Sequence, residues 1–151
     1  MSKHPGLITT RACLERAVAI KETGKVLYDL GDDWHAVCYF YAAYHTVRAA
    51  FIEDPVFQDM KRLAAISEHL TPQDRYAKHH QARMGTGPRI LGVNDIVALI
   101  YPQIVVEYRR LHSASIDVRY GPGLTGIAAT TVLADYEIVT SAYLANQLRA
   151  P

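Results

Sequence analysis

The chain has 151 residues, of which 50% are hydrophobic and 21% are charged, with a formal net charge of +1. This length suits one domain with its own core, and the composition excludes an intrinsically disordered chain. The near-zero net charge excludes a protein that binds nucleic acid through its overall charge alone. We therefore expect a single domain over residues 1–151.

The first predicted helix runs from about Thr10 to Leu30 and ends at Gly31, a residue type that commonly follows a helix. The residues before it lack the apolar run of a secretory signal peptide. We expect the inward face of this helix to carry hydrophobic residues at helical spacing: Leu14, Ala17, Val18, Leu27 and Leu30.

The cysteine content predicts a reducing compartment. Cys13 and Cys38 are the two cysteines of the chain, and both lie within helical patterns. A small secreted domain normally carries more cysteines than this, paired as disulfides. We therefore interpret both as reduced residues of the core and expect a cytoplasmic protein.

The second predicted helix begins after a cap at Asp32 or Asp33 and must end before Pro55. Both of its faces are largely apolar or aromatic, which predicts a central helix that is buried on most sides. The most apolar stretch of the chain lies within this helix, but it contains His45 and Arg48. We therefore expect a core helix and no membrane partner.

One face of the second helix combines aromatic and polar side chains. A buried arginine without a partner is unstable, so Arg48 must reach the rim, pair with an acid or line a polar cavity. The residues of this face follow one another at spacings of four, three, four and three: Trp34, Cys38, Tyr41, His45 and Arg48.

The middle of the chain predicts two shorter elements and a basic stretch. A short helix is expected at residues 56–66. The sequence "TPQD" then predicts a third main helix, with Thr71 as its cap, Pro72 in its first turn, Asp74 bonding back to the cap, and an end at Gly85. Residues 75–89 contain four cations and two histidines but no acid.

The last third of the chain predicts two more helices. Asn94 is the expected cap of a helical stretch that Pro102 kinks or restarts, and its later part carries a polar stripe. The last helix is expected to begin at a cap at Thr130 or Thr131 and to run to about Arg149. The stripe has spacings of four, three and four: Tyr108, His112, Ser115 and Arg119.

These patterns predict an all-α fold, a four- to five-helix up-and-down bundle, because no stretch alternates apolar and polar residues as a strand does. Two helices with polar stripes can close around a common polar site. The alternative is that the tyrosines pack and donate one hydrogen bond each, while the arginines extend to water. For any single residue we favour this structural alternative. For the two stripes taken together we favour a common polar binding site.

Three sequence elements follow one another over residues 30–122. The first, W-x-x-x-x-x-F-Y-A-A-x-H, is matched by Trp34, Phe40, Tyr41, Ala42, Ala43 and His45. The second, H-x-x-R, is matched by His80 and Arg83. The third, Y-x-x-L-x-x-x-S-x-x-A-R-Y, is matched by Tyr108, Leu111, Ser115, Arg119 and Tyr120, with Val118 in place of the alanine. In these elements the chain resembles the HEPN superfamily, small helical domains of prokaryotic toxin–antitoxin and antiviral systems.

The resemblance implies a HEPN-like bundle that usually dimerises, and many members are metal-independent endoribonucleases. Their signature is an Arg followed, after four to six residues, by a His that handles protons while the Arg stabilises negative charge. Arg62 with His69 and Arg75 with His80 have this spacing, but chance alone predicts about 1.5 such pairs. In the signature a polar residue usually follows the Arg directly, whereas here Leu63 and Tyr76 do. We therefore predict that the usual nuclease motif is absent.

The candidate ligand-binding residues come from the matched elements and the second helix: Tyr41, His45, Arg48, His80, Arg83, Tyr108, Ser115, Arg119 and Tyr120. Arginines bind phosphate with paired donors, tyrosines stack on bases, and a near-neutral histidine can transfer protons. His80 and Arg83 are the candidates for catalysis. No Glu-x-x-His or His-x-x-x-His pair occurs, so we expect no metal site and no cofactor.

Two functional hypotheses remain. The first is a HEPN-like protein that binds RNA or a nucleotide in a prokaryotic defence or toxin–antitoxin setting, with divergent metal-independent ribonuclease activity left open. The alternative is a non-enzymatic, dimeric helical interaction module that binds or neutralises a partner protein through its nearly uncharged last helix. Both predict a homodimer. The interface expected under the alternative is formed by Val132, Tyr136, Val139, Tyr143 and Leu148.

Overall fold

A computed structural model describes residues 8–80 and 91–151, and all regular structure in these two ranges is helical. The prediction of an all-α fold is thus confirmed. Four long helices are joined by two short ones and by 3₁₀ segments at Pro55–Gln58, Pro72–Tyr76 and Pro102–Ile104. The α-helices are α1 (Thr10–Asp29), α2 (His35–Glu53), α3 (Met60–Ile66), α4 (Val93–Ile100), α5 (Val105–Tyr120) and α6 (Ala129–Leu144).

Helix α2 is the central element, as its sequence predicts. It packs against α1, α5 and α6, and most of its side chains are buried. The predicted Asp cap does not form, because the N-cap residue is Trp34 and no side chain caps α2. Asp32 Oδ1 instead accepts a hydrogen bond from the backbone N–H of Trp34 at 2.9 Å, just before the helix. The other end of α2 is closed by aromatic packing, where the Phe51 ring lies 5.8 Å from Phe57 and 5.7 Å from Tyr101.

Helix α1 buries only part of the face that its hydrophobic residues predict, since Ala17 is buried as expected. Val18 is 56% exposed and Leu30 is 75% exposed, so their inward placement is wrong. The buried residues of α1 are small: Cys13, Ala17 and Gly24. Small residues allow α1 to approach α2 closely, and this close packing decides which side of α1 faces inward.

The predicted third helix is much shorter than its start signal indicates. The capping bond forms as expected, with the backbone N–H of Thr71 donating to Asp74 Oδ2 at 2.8 Å. The segment is nevertheless a 3₁₀ turn, because the backbone becomes extended at Ala77. A helix through residues 77–80 is therefore wrong, and the rest of that prediction falls on residues 81–90, outside the described ranges.

The remaining helix boundaries shift by a few residues. Pro102 does restart the helix, since a 3₁₀ turn at that residue separates α4 from α5. The cap of α4 is Gly92 and not Asn94, and the backbone N–H of Gly92 donates to Asp95 Oδ2 at 3.0 Å. Helix α6 begins without a threonine cap and stops at Leu144, because Asn146 adopts a positive φ that ends the helix.

None of the helices in the described ranges is both long enough and apolar enough to span a lipid bilayer.

Candidate functional site

Arg119 joins α2 and α5 at the centre of the candidate site. Its Nη1 donates to the hydroxyl of Tyr41 at 3.0 Å, and its Nε donates to the backbone carbonyl of Ser115 at 3.3 Å. The guanidinium carbon lies 5.5 Å from the centre of the Tyr41 ring and 5.1 Å from that of Tyr120. The guanidinium is therefore held beside two aromatic rings, an arrangement that fixes its direction.

Two histidines lie next to this arginine. The rings of His80 and His112 are 5.5 Å apart, and the Phe40 ring contacts both, at 6.0 Å and 5.0 Å. Three buried polar atoms of this cluster have no hydrogen-bond partner among the described residues: His80 Nδ1, His112 Nε2 and the hydroxyl of Tyr108. A buried polar group without a hydrogen-bond partner lowers the stability of the fold. A cluster of three is therefore unusual for a contact between helices that has only a structural role.

Burial keeps these imidazoles neutral. Desolvation, together with the nearby His80 and Arg119, lowers the pKa of His112 to about 4. The pKa of His80 is also lowered, first by burial and then by Arg119 and His79. At neutral pH both rings are therefore uncharged, so that in each ring one nitrogen can donate a hydrogen bond and the other can accept one.

The second half of the α2 face carries Arg48 and His45. Arg48 is only 9% exposed; its Nε donates to the backbone carbonyl of Ala77 at 3.1 Å, and its guanidinium carbon lies 5.5 Å from the Tyr44 ring centre. The Tyr44 hydroxyl in turn donates to the carbonyl of Lys78. These two bonds hold the extended segment 77–80 against α2, which brings His80 to the site.

The electrostatic environment of the site is positive. Burial, together with the charges of Arg48 and Arg16, lowers the pKa of His45 to about 4. By contrast, Asp33 and Asp32 partly offset the effect of burial on the pKa of His35. The imidazoles of the site thus lie close to cations, whereas acids influence the histidine at the start of α2.

The structure brings most of the predicted residues together. Ser115 is fully buried, and its hydroxyl donates to the carbonyl of His112 at 2.8 Å, so it supports α5 and does not face a ligand. Arg83 falls within the residues that are not described. The predicted residues that lie around Arg119, or on the same face of α2 as its partner Tyr41, are Tyr41, His45, Arg48, His80, Tyr108, Ser115 and Tyr120.

Three residues of the site were not among the candidates. His112 belonged to the predicted stripe of α5, so its helical spacing could have identified it. The Tyr44 ring lies beside the Arg48 guanidinium, and the charge of Arg16 on α1 lowers the pKa of His45. No local pattern marks Arg16, because its effect on His45 depends on how α1 packs against α2.

A metal centre finds no support in the described part of the chain, where no group of three or more histidines, cysteines or acids is arranged to hold an ion. The chemistry available at the site is that of guanidinium groups, neutral imidazoles and phenols. These groups bind anions and stack on planar rings, and a neutral imidazole can accept a proton.

Comparison of the chain with protein-family models, with curated proteins and with solved structures gave no match.

Proposed function

We propose that this protein binds the phosphate of a nucleotide or of RNA at the seam between α2 and α5. The observation that carries the proposal is the guanidinium of Arg119, which no carboxylate of the described residues pairs. Its Nε and Nη1 donate to protein oxygens, and its Nη2 has no protein partner among the described residues. Guanidinium donors that are held in a fixed direction are the usual ligands of phosphate.

The surroundings of Arg119 suit the other parts of a nucleotide. Tyr120 is 79% exposed, so one face of its ring is free for a base while the other side lies near the guanidinium. Stacking of a base on an aromatic ring contributes about 1–3 kcal/mol and tolerates every base. We therefore expect affinity for nucleotides with little base preference.

Ribonuclease chemistry is the activity that the resemblance implies, and we place it second to binding. In such a reaction a base takes the proton of the RNA 2′-hydroxyl, whose oxygen attacks the adjacent phosphorus. The 5′-oxygen leaves and takes up a proton, and a cyclic phosphate forms. A general base works best when its pKa is near the operating pH. Since the pKa of His112 is about 4, this imidazole is a poor base at neutral pH. A role in defence or in a toxin–antitoxin pair likewise rests on the resemblance.

Replacement of Arg119 tests the proposal. We expect Arg119→Ala to weaken the binding of uridine monophosphate and of short oligouridylate by about tenfold or more, because a charge-assisted contact is lost. Calorimetry or fluorescence anisotropy at fixed salt measures the change. Arg109→Ala is the matched control, since Arg109 is an exposed arginine of the same helix that forms no described contact with the site. Equal affinities of both variants and the unmodified chain would reject the proposal.

A second candidate function, the interaction module, is favoured by a groove between α1 and α6. The groove has a volume of about 530 Å³ and a mostly apolar lining, to which Leu14, Val18, Leu133 and Leu144 contribute. Of the side chains first expected to form the interface, Tyr136 and Tyr143 line this groove. The other three face the core: Val132, Val139 and Leu148. The expected surface therefore overlaps the groove only in part.

We propose that the occupant of this groove is a second copy of the chain. Lys21 lies on the α1 wall and Glu137 on the α6 wall, so a copy related by a twofold axis can pair each lysine with the other copy's glutamate. Leu144, which is 77% exposed, would then be buried. Light scattering of the purified chain should show a dimer, and Leu144→Asp should yield monomers. Ile138→Asp, a change outside the groove lining, is the control, and a monomeric unmodified chain would contradict this candidate.

A further inference from the structure

Arg119 is oriented by neutral groups, unlike another arginine of the same helix. Its guanidinium donates to the hydroxyl of Tyr41 at 3.0 Å and to the backbone carbonyl of Ser115 at 3.3 Å. Arg110 has the opposite arrangement, because its Nε and Nη2 both donate to the carboxylate of Asp135, at 2.9 Å and 2.8 Å. A carboxylate neutralises the guanidinium that it orients, whereas a hydroxyl orients the guanidinium and leaves its charge for a ligand.

The bond to Tyr41 also decides where the guanidinium points. Arg119 lies in the last turn of α5, one residue before the helix ends at Tyr120. Ser115 belongs to the same helix, so in the part of the chain that the structure describes, the bond to Tyr41 is the hydrogen bond that links Arg119 to another helix. An arginine side chain has many rotamers, and the end of a helix is its least ordered part. Without the hydroxyl, the guanidinium would therefore be free to turn away from the site.

The ring of Tyr41 is itself held in place. It belongs to α2, the buried central helix, and a site on a rigid helix is more precise than a site on a loop. Three rings contact that of Tyr41: Phe40 at 5.0 Å, Tyr44 at 5.9 Å and His80 at 6.1 Å. With these neighbours the Tyr41 ring is less suited to stacking on a base than that of Tyr120, which is 79% exposed. The group of Tyr41 that can serve the site is therefore its hydroxyl.

We propose that Tyr41 is the positioning residue of the phosphate site, because its hydroxyl holds the guanidinium of Arg119 in the direction in which the phosphate is bound. This inference rests on the proposed function, since the ligand is the phosphate bound by Arg119. Tyr41 acts through Arg119 and does not touch the phosphate. A guanidinium that is already ordered loses less conformational freedom on binding, so the hydroxyl raises affinity without adding a charge.

Tyr41→Phe tests the inference, because it removes the hydroxyl and keeps the ring. We expect this variant to bind the hexamer of oligouridylate roughly two- to tenfold more weakly, the effect of one long side chain that must be ordered on binding. In a chain that already carries Arg119→Ala, the same change should have no further effect, since the group that the hydroxyl positions is gone. Fluorescence anisotropy at fixed salt measures all four affinities of this double-mutant cycle.

A control and the cycle separate this inference from the proposed function. Tyr39→Phe removes a phenol hydroxyl two residues earlier in α2, where the ring packs against Tyr136 at 5.0 Å, and should leave the affinity unaltered. The inference is overturned if Tyr41→Phe binds as tightly as the unmodified chain. It is also overturned if Tyr41→Phe weakens binding equally with and without Arg119, as a purely structural role would. If the unmodified chain does not bind the hexamer, or if Arg119→Ala binds it equally well, the proposed function fails as well.

Discussion

Four histidines of this chain are held neutral by burial and not by a hydrogen-bond partner. The pKa of each is lowered, with desolvation as the largest cause. Each also has one ring nitrogen without a partner in the described ranges. The four are His35, His45, His80 and His112. Because protonation of such a ring would place a charge in a poorly solvated location, folding and protonation compete at these positions.

This competition predicts an acid-sensitive fold. The pKa of His45 and His112 is about 4 in the folded chain and about 6.5 when unfolded, so the unfolded chain binds more protons below pH 6.5. The contribution of each ring is complete above pH 6.5 and is lost as pH falls toward 4, by up to about 3 kcal/mol. Urea unfolding at pH 7.5, 5.5 and 4.5 measures the loss.

A variant assigns the effect to one side chain. His112→Gln keeps a polar group of similar size but cannot titrate, so its free energy of unfolding should fall less steeply between pH 6.5 and 4 than that of the unmodified chain. His69→Gln changes an exposed histidine and should leave the slope unaltered. A slope that is the same in all three proteins would show that burial of His112 does not control its protonation.

At the scale of the elements, the packing of α1 against α2 depends on a position without a side chain. A Cβ at Gly24 would lie 2.9 Å from the Cβ of Cys38 and 3.7 Å from the carbonyl oxygen of His35. Carbon atoms do not approach this closely, so a larger residue would force the two helices apart. Glycine normally weakens a helix, and its presence within α1 is explained by this contact.

We therefore expect Gly24→Ala to destabilise the fold although alanine favours a helix. The gain in helix propensity is about 1 kcal/mol, whereas overpacking a close helix contact costs about 1–3 kcal/mol. The net change should be a loss of about 1 kcal/mol, seen as a lower Tm. Thr23→Ala, on the neighbouring exposed position, should raise the Tm slightly. A Tm that rises for Gly24→Ala would show that the helices adjust without cost.

The helices themselves were largely predictable from the sequence, because their hydrophobic period and the residues at their ends are local signals. The inward face of α1 was predictable only in part, since its buried residues are the small Cys13, Ala17 and Gly24 and not the larger Val18 and Leu30. The length of the helix after Thr71 was also missed. A cap fixes where a helix begins, but tertiary contacts decide how far it continues.

At the scale of the whole molecule, Asp54 joins three distant parts of the chain. It is 2% exposed, and its Oδ2 accepts hydrogen bonds from the Tyr101 hydroxyl at 3.0 Å and from the backbone N–H of Ala150 at 2.9 Å. Its Oδ1 accepts from the backbone N–H of Val56 at 3.0 Å. Burial and this carboxylate together raise the pKa of Tyr101 far above its ordinary value.

Asp54→Asn should therefore destabilise the whole fold. An amide group keeps one acceptor oxygen but turns an N–H₂ group toward buried donors, at a cost of about 1.5–3 kcal/mol. Chemical denaturation measures the free energy of unfolding. Asp59→Asn is the matched control, because Asp59 caps α3 through the backbone N–H of Arg62 and asparagine caps a helix equally well. Similar losses in both variants would contradict a special role for Asp54.

The sequence by itself determined the helical class, the central position of α2 and the two polar stripes, because each depends only on the spacing of residues that are close together in the chain. Only the tertiary structure decided that the stripes meet at Arg119 and that a groove forms between α1 and α6. These facts depend on residues far apart in the chain. Their proximity is set by the packing of small side chains between helices, and no local pattern records it.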